Sequence, residues 1–235
     1  MERAPRRARR EGTDIDARDH VTIDQGSVLW SASGADREGR PLLALLHGYN
    51  SHEGDLFGLS PYLPLQPVIA SLRAPLHTGY GFAWFPLQVD ADGGVGLGEA
   101  EARRAEAAAD AVIAWAESLD PAPPAIGLLG FSQGGALAIE LLRRRSDLFG
   151  FAVSLAGFVL PGERAGDAEL ADRRPPVFWG RGTEDVVIPA DAVARTQEWL
   201  PERVALDARI YEGVGHSVSE QELADVTGFL RERYA

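Results

Sequence analysis

From residue 20 onward, the chain alternates short, uninterrupted apolar runs with longer stretches in which apolar residues recur every three or four positions. Uninterrupted runs of about five apolar residues are typical of strands buried on both faces of a sheet. A recurrence every three or four positions is typical of helices that pack through one face. The predicted strands are 42–46, 67–72, 125–131, 149–158, 176–180 and 205–211. The predicted helices are 99–118, 134–145, 190–200 and a last one that begins at Ser219. This alternation predicts an α/β protein with a mostly parallel central sheet and helices on both of its faces.

Local signals refine both ends of this pattern. Residues 21–33 (VTIDQGSVLWSAS) predict an N-terminal hairpin, with Gln25 and Gly26 as its turn residues. At the other end, Ser219 is followed three residues later by Glu222, which is the pattern of a capping box. The last helix is therefore expected to begin at Ser219.

The two longest connections differ in what they predict. Residues 73–98 are rich in glycine and aromatic residues, and long loops inside compact domains often form the walls or lids of functional sites. The connection between the strands at 149–158 and 176–180 has room for a turn or a short helix only. We therefore expect no large cap domain.

The first residues differ in composition from the rest of the chain. MERAPRRARREG contains five arginines and two glutamates, and no apolar run follows them, so this segment does not resemble a secretory signal. We expect residues 1–19 to form a flexible arm and residues 20–235 to form a single domain. A cytoplasmic location is expected, because no stretch approaches the roughly 20 apolar residues of a membrane span.

Charge and composition exclude several classes of chemistry. The net charge is −12, which argues against binding nucleic acid and against stable association with anionic membranes. The chain contains no cysteine, so disulfides, thiolate nucleophiles and cysteine metal ligands are excluded. All 23 basic residues are arginine, which excludes Schiff-base chemistry on lysine.

The segment 130–134 (GFSQG) carries the first candidate for catalysis. It matches the pattern G-x-S-x-G, which has meaning when a buried strand leads into it and a helix follows, and both are predicted here. A sharp strand-to-helix turn would project the hydroxyl of Ser132 from the edge of the sheet, while the amide of Gln133 would face an oxyanion beside it. The alternative is that Ser132 is a helix N-cap in a glycine-rich turn.

A serine nucleophile needs a base and an acid, which follow it in this fold class in the order serine, acid, histidine. His216 is the only histidine after Ser132, so it is the candidate base. Glu184 and Asp185 follow the strand at 176–180, and Asp191 lies at the start of the next helix. Spacing alone does not choose among these carboxylates.

Four segments together resemble a known family. LLHGYN, GFSQGGALA, GTEDVVIP and EGVGHS, spread over most of residues 40–230, resemble the carboxylesterase/phospholipase group of α/β-hydrolases, which includes acyl-protein thioesterases. The resemblance implies the α/β-hydrolase fold, and it favours Asp185 as the acid because the family's acid immediately precedes the V-V-P-like run.

The resemblance also assigns roles in two loops. In LLHGYN it implies that Tyr49 supplies a second oxyanion amide, while His47 shapes the loop. Asn50 stands where many members have glycine, and asparagine tolerates the left-handed backbone that such a turn needs. From the segment AWFPL, it implies that Trp84 and Phe85 are substrate-binding residues of the pocket wall, with packing into the core as the alternative.

The expected function is hydrolysis of carboxylic esters, with thioesters as a further option, by Ser132, His216 and Asp185 through an acyl-enzyme. The alternatives are an acyltransferase that uses the same triad, a lysophospholipase or acyl-protein thioesterase, and a non-catalytic binding protein on a hydrolase scaffold. No metal or organic cofactor is implied. The expected partner is a small-molecule ester or thioester, and the oligomeric state is left open, a homodimer included.

Overall fold

The computed structural model describes residues 21–89 and 95–235. Its strands are β1 (Leu29–Trp30), β2 (Leu42–Leu46), β3 (Val68–Leu72), β4 (Leu76–His77), β5 (Phe82–Ala83), β6 (Gln88–Val89), β7 (Val95–Gly96), β8 (Ile126–Phe131), β9 (Phe149–Leu155), β10 (Pro176–Gly182) and β11 (Ala205–Tyr211). Its α-helices are α1 (Glu53–Phe57), α2 (Glu99–Glu117), α3 (Gln133–Arg144), α4 (Asp167–Arg173), α5 (Ala190–Arg203) and α6 (Glu220–Arg233). Every strand and helix predicted from a long apolar pattern is present, whereas α1 and the short strands β4 to β7 were not predicted.

Seven strands form the central sheet, in the order β1-β3-β2-β8-β9-β10-β11. All neighbours in it are parallel except β1 and β3. The chain adds β3 on one side of β2 and then crosses to place β8 on the other side. In open α/β sheets, such a reversal of strand order opens a crevice at the carboxyl ends of the strands, where ligands bind. Here the crevice lies between β2 and β8.

Alternation along the strands divides the core into two layers, as expected for a sheet covered on both faces. In β2, Leu42, Ala44 and Leu46 pack in the cluster that contains α2, α3 and α5, whereas Leu43 and Leu45 pack with α1 and α6. The prediction of a mostly parallel sheet with helices on both faces is therefore confirmed.

The predicted N-terminal hairpin is wrong. Residues 25–27 form a turn of 3-10 helix, in which the carboxylate of Asp24 accepts hydrogen bonds from the Gly26 amide (3.0 Å) and the Ser27 hydroxyl (2.6 Å). Leu29 and Trp30 then pair antiparallel with β3, so the partner of this strand is the edge of the main sheet and not residues 21–24. The side chain of Asp24 therefore caps the start of a helical turn at the place where the hairpin turn was expected.

The two long connections also take definite forms. Residues 73–98 contain the short antiparallel pairs β4–β5 and β6–β7. The connection between β9 and β10 contains α4, of 7 residues, and residues 21–89 and 95–235 include no large cap domain. In the described part of the chain, each helix is too short or too polar to span a lipid bilayer. The predicted flexible arm at 1–19 lies outside the described residues.

Candidate active site

Ser132 lies on the tight turn between β8 and α3, in a backbone conformation that serine rarely adopts (φ 54°, ψ −115°). Such a conformation costs free energy and persists where the surroundings enforce it. Here the Ser132 amide donates to the carbonyl of Leu155 in the adjacent strand (2.8 Å), and the Ser132 carbonyl accepts from Ala136 in the helix (3.0 Å). The turn is therefore held from both sides, which fixes the direction of the hydroxyl.

Two glycines make this turn sterically possible. A Cβ atom on Gly130 would lie 2.1 Å from the carbonyl oxygen of Gly134, and a Cβ atom on Gly134 would lie 1.9 Å from the carbonyl oxygen of Leu46. Both contacts are with backbone atoms, which cannot rotate away as a flexible side chain could. Gly130 is thus required by the close approach of backbone across the turn, and Gly134 by the packing of the turn against β2.

The structure brings Ser132, His216 and Asp185 together in one chain of hydrogen bonds. The Ser132 hydroxyl lies 2.9 Å from Nε2 of His216, and Nδ1 of His216 lies 2.8 Å from Oδ2 of Asp185. Because a carboxylate only accepts, Nδ1 carries the proton and Nε2 is left to accept from the serine. The imidazole ring also packs against Phe131, with ring centroids 4.9 Å apart.

The other two candidate acids do not contact His216. The side chain of Glu184 is exposed, and Asp191 is exposed at the start of α5, 3.8 Å from Arg195. Asp185 is buried, and its second oxygen accepts hydrogen bonds from the amides of Val187 (2.9 Å) and Ile188 (3.2 Å). One carboxylate oxygen is therefore held by the backbone while the other holds the imidazole.

His47 is buried between β2 and the loop that follows it. Its Nδ1 lies 2.7 Å from the carbonyl oxygen of Gly48, and its Nε2 accepts a hydrogen bond from the amide of Ala74 (3.1 Å). One nitrogen must donate and the other accept, so the ring is neutral. Burial lowers the pKa of His47, which agrees with this assignment. The ring is a structural group that lacks a free nitrogen for proton transfer.

This contact also orients the peptide that follows. The Gly48 carbonyl and the Tyr49 amide belong to one planar unit, so holding the carbonyl fixes where the Tyr49 N–H points. Tyr49 and Gln133 both line the cavity beside Ser132. Neither amide donates a hydrogen bond to another residue within 21–89 or 95–235. Asn50 follows with φ 60°, the left-handed conformation anticipated for this position.

Trp84 and Phe85 are not in the pocket wall, contrary to what the resemblance implied. Both side chains are fully buried in the core. The indole of Trp84 donates to the carbonyl of His47 (2.8 Å), and the Gln133 carboxamide accepts from the Trp84 amide (2.8 Å) and donates to the Phe85 carbonyl (2.7 Å). These residues tie the loop after β5 to β2 and α3, beneath the site. Aromatic character alone could not separate such a role from contact with substrate.

A cavity of about 310 Å³ opens beside the Ser132 hydroxyl. Its apolar wall comes from the end of β8 and from connections between other elements, and it consists of Leu87, Leu97, Phe131, Phe158, Val187 and Ile188. Ser51 and Asp55 line a polar part, where the Ser51 hydroxyl donates to the Asp55 carboxylate (2.6 Å). Sequence reasoning missed these residues, although Leu87 and Leu97 lie in the loop 73–98 singled out as a possible wall, and Val187 and Ile188 directly follow the candidate acid.

Comparison with known proteins gives consistent results. A family model described as Phospholipase/Carboxylesterase matches residues 33–233. Carboxylesterase SOBER1 of Arabidopsis thaliana is 25% identical over 178 residues, which cover 74% of this chain and 76% of that protein. Acyl-protein thioesterase 1 of Candida albicans is 37% identical over 113 residues, and the match spans about half of its length (47%).

Solved structures agree with the sequence comparisons. The crystal structure of esterase PE8 superposes with a TM-score of 0.73 and 25% identity, covering 90% of this chain and 99% of that one. A phospholipase/carboxylesterase from Dyadobacter fermentans shares the fold with a TM-score of 0.69 at 21% identity, covering 92% of this chain and 100% of that one. The family match extends over most of the described chain, and the resemblance noted in its motifs is thereby confirmed. The chain belongs to the phospholipase/carboxylesterase family of α/β-hydrolases.

Proposed function

We propose that this protein is a serine hydrolase that cleaves small, neutral carboxylic esters through an acyl-enzyme intermediate. The observation that carries the proposal is the continuous hydrogen-bonded chain from Ser132 through His216 to Asp185, which ends beside an apolar cavity. A serine hydroxyl is unreactive at neutral pH unless a neighbouring base accepts its proton, and the neutral Nε2 of His216 is placed to do so.

In the first half-reaction, the Ser132 oxygen attacks the acyl carbonyl while its proton moves to Nε2 of His216. The amides of Tyr49 and Gln133 stabilise the oxyanion, and Asp185 stabilises the imidazolium. The tetrahedral intermediate then expels the alkoxide, which takes the proton from His216 and leaves as an alcohol. In the second half-reaction, water attacks the acyl-enzyme by the same route, and Ser132 regains its proton as the carboxylic acid departs.

The cavity favours small neutral esters over phospholipids. Its apolar wall suits an acyl chain, and its volume of about 310 Å³ is at the small end of ligand pockets. Asp55 places a carboxylate in the same cavity, and the whole chain carries a net charge of −12. A leaving group that bears a phosphate would be repelled by both, whereas a neutral alcohol would not.

The test is a panel of p-nitrophenyl esters from acetyl to palmitoyl, assayed with the parent protein and with Ser132→Ala. We expect turnover by the parent to be highest for short acyl chains and to fall for long ones, and we expect no turnover above the uncatalysed rate by the variant. Labelling of the parent by a fluorophosphonate, with none of Ser132→Ala, tests the nucleophile independently of substrate choice. Retained turnover in the variant would overturn the mechanism, while a preference for palmitoyl would overturn the proposed substrate class.

A further inference from the structure

Strand β11 is an edge strand of the central sheet. In the part of the chain that the structure describes, it has a neighbour, β10, on one side only. Three consecutive residues, Ala208, Arg209 and Ile210, are exposed, and Ile210 retains 55% of its surface. Successive residues of a strand point to opposite faces, so exposure of three in a row shows that both faces of the strand are uncovered at residues 208–210. An exposed strand edge of this kind is a template for pairing with another strand.

The backbone of β11 defines which residues such a partner would meet. In the register with β10, the Ala205 amide donates to the Pro175 carbonyl and the Thr183 amide donates to the Tyr211 carbonyl. Along an edge strand in a parallel pair, the backbone N–H and C=O groups of one residue bond to the neighbouring strand, and those of the next residue point away from it. The residues that point their amides and carbonyls outward are therefore Leu206, Ala208 and Ile210.

The sequence of this strand is complementary to itself when it is reversed. From residue 206 to residue 210 it reads leucine, aspartate, alanine, arginine, isoleucine. In an antiparallel pair centred on Ala208, Asp207 lies opposite the partner's Arg209, and Leu206 lies opposite the partner's Ile210. The same centre brings the outward-pointing backbone groups of both strands together, so the register that satisfies the backbone is also the one that matches the side chains.

The two kinds of side chain lie on different faces of the sheet. Tyr211 faces α6, where its hydroxyl donates to Asp225 (2.9 Å), so Asp207 and Arg209 lie on that face by alternation. Leu206 packs in the cluster that contains α5, so Ile210 lies on the α5 face. A two-fold axis perpendicular to the sheet places the α6 faces of the two copies on one side and the α5 faces on the other. The pairs of Asp207 with Arg209 would therefore form on one face, and the pairs of Leu206 with Ile210 on the other.

We propose that two copies of this chain associate through β11, antiparallel and centred on Ala208, to form one continuous sheet. Charged residues on an edge strand usually prevent such pairing. Here the charged residues would favour pairing, because the charges of Asp207 and Arg209 sum to zero and each side chain lies opposite a residue of opposite charge in the partner. Within one chain these two side chains already pair on the same face of the sheet, with Nε of Arg209 2.7 Å from the Asp207 carboxylate.

The experiment measures the mass of the full chain in solution by sedimentation equilibrium over a range of concentrations. We expect the parent to reach twice the mass of a single chain of 25.3 kDa. Asp207→Arg or Arg209→Asp alone places like charges opposite each other, and we expect each to weaken dimerisation at least about tenfold. Arg173→Asp is the matched control, since it reverses a similarly exposed charge on α4, outside the proposed interface.

Two rescues distinguish this register from any other contact. The double variant D207R/R209D and an equimolar mixture of the two single variants both restore an opposite charge at every pair, so each should recover the dimer. Circular dichroism shows that the single variants are folded, and their esterase activity should match that of the parent. A monomeric parent, single variants that dimerise like the parent, or a mixture that stays monomeric would each overturn the proposal.

Discussion

At the scale of single residues, the candidate site depends on how Asp185 uses its two oxygens. Oδ1 is held by the amides of Val187 and Ile188, so the carboxylate cannot rotate away when His216 becomes charged. Oδ2 is then directed at Nδ1 of His216. The neighbouring carboxylate, Glu184, has the same charge but is exposed to solvent. These neighbours therefore form a matched pair for testing whether position or charge matters.

Asp185→Asn is expected to lower kcat by roughly 10³- to 10⁴-fold with a smaller effect on KM, because the amide no longer stabilises the imidazolium or the required tautomer. Glu184→Gln removes the same charge one residue away and should leave kcat within about twofold of the parent. Steady-state kinetics on a short-chain ester measures both. Equal losses in the two variants would show that the general negative charge of the loop matters rather than the contact with His216.

At the scale of elements, the strand-turn-helix unit of β8 and α3 depends on close backbone contact with β2. Gly134 sits where a side chain would overlap the carbonyl of Leu46. Gly228, in the exposed face of α6, is the opposite case, because a Cβ atom there would meet no atom within 4 Å among the described residues beyond its chain neighbours and the adjacent backbone of α6. The same residue type is thus required in one helix and unfavourable in the other.

Gly134→Ala is expected to lower the free energy of unfolding by about 3 kcal/mol or more, since β2 and the turn must separate. The same separation displaces Ser132, so activity should fall as well. Gly228→Ala should raise the free energy of unfolding by about 0.5–1 kcal/mol, because alanine favours the helix and loses less entropy on folding. Urea denaturation of the two variants measures both changes in the free energy of unfolding, the expected decrease and the expected increase. A stable and active Gly134→Ala would contradict the observed packing of the turn.

At the scale of the whole molecule, a buried carboxyl group links stability to pH. Glu222 lies against Gly180 of β10, and within the described residues neither of its carboxyl oxygens has a hydrogen-bond partner. Half of the expected capping box is present, since Ser219 accepts from the Glu222 amide (3.1 Å), but the carboxyl group turns inward instead. Burial, with a smaller contribution from Asp225, raises the pKa of Glu222 to about 7.

The unfolded chain releases this proton near the ordinary pKa of 4.5, whereas the folded protein keeps it until about pH 7. The free energy of unfolding should therefore fall as the pH rises from about 4.5 to about 7, by up to about 3 kcal/mol from this group. Glu222→Gln removes the titration, so the variant should lose this slope and be more stable than the parent at pH 8. Thermal melts across this pH range test it, and parallel profiles for the two proteins would refute the assignment.

The local elements could be read from the chain alone, because hydrophobic periodicity is a property of neighbouring residues. The strands at 42–46 and 205–211 agree with the structure residue for residue. The prediction of a hairpin at 21–33 was wrong because a hairpin depends on which strands pair. The local pattern indicated a strand, but its partner is β3, some 40 residues further along the chain. Strand pairing is a contact across the chain, so local pattern does not determine it.

The same division holds for the candidate site. The amino-acid sequence restricts which residue types can perform the chemistry, since G-x-S-x-G and a single downstream histidine leave Ser132 and His216 as one pair. The three-dimensional fold is needed to show that Asp185, and neither Glu184 nor Asp191, contacts His216, and that Trp84 and Phe85 support the site from the core. Ser132 and Asp185 lie 84 and 31 residues from His216. Their distances are set by the packing of strands and loops from distant parts of the chain, which local sequence patterns do not reveal.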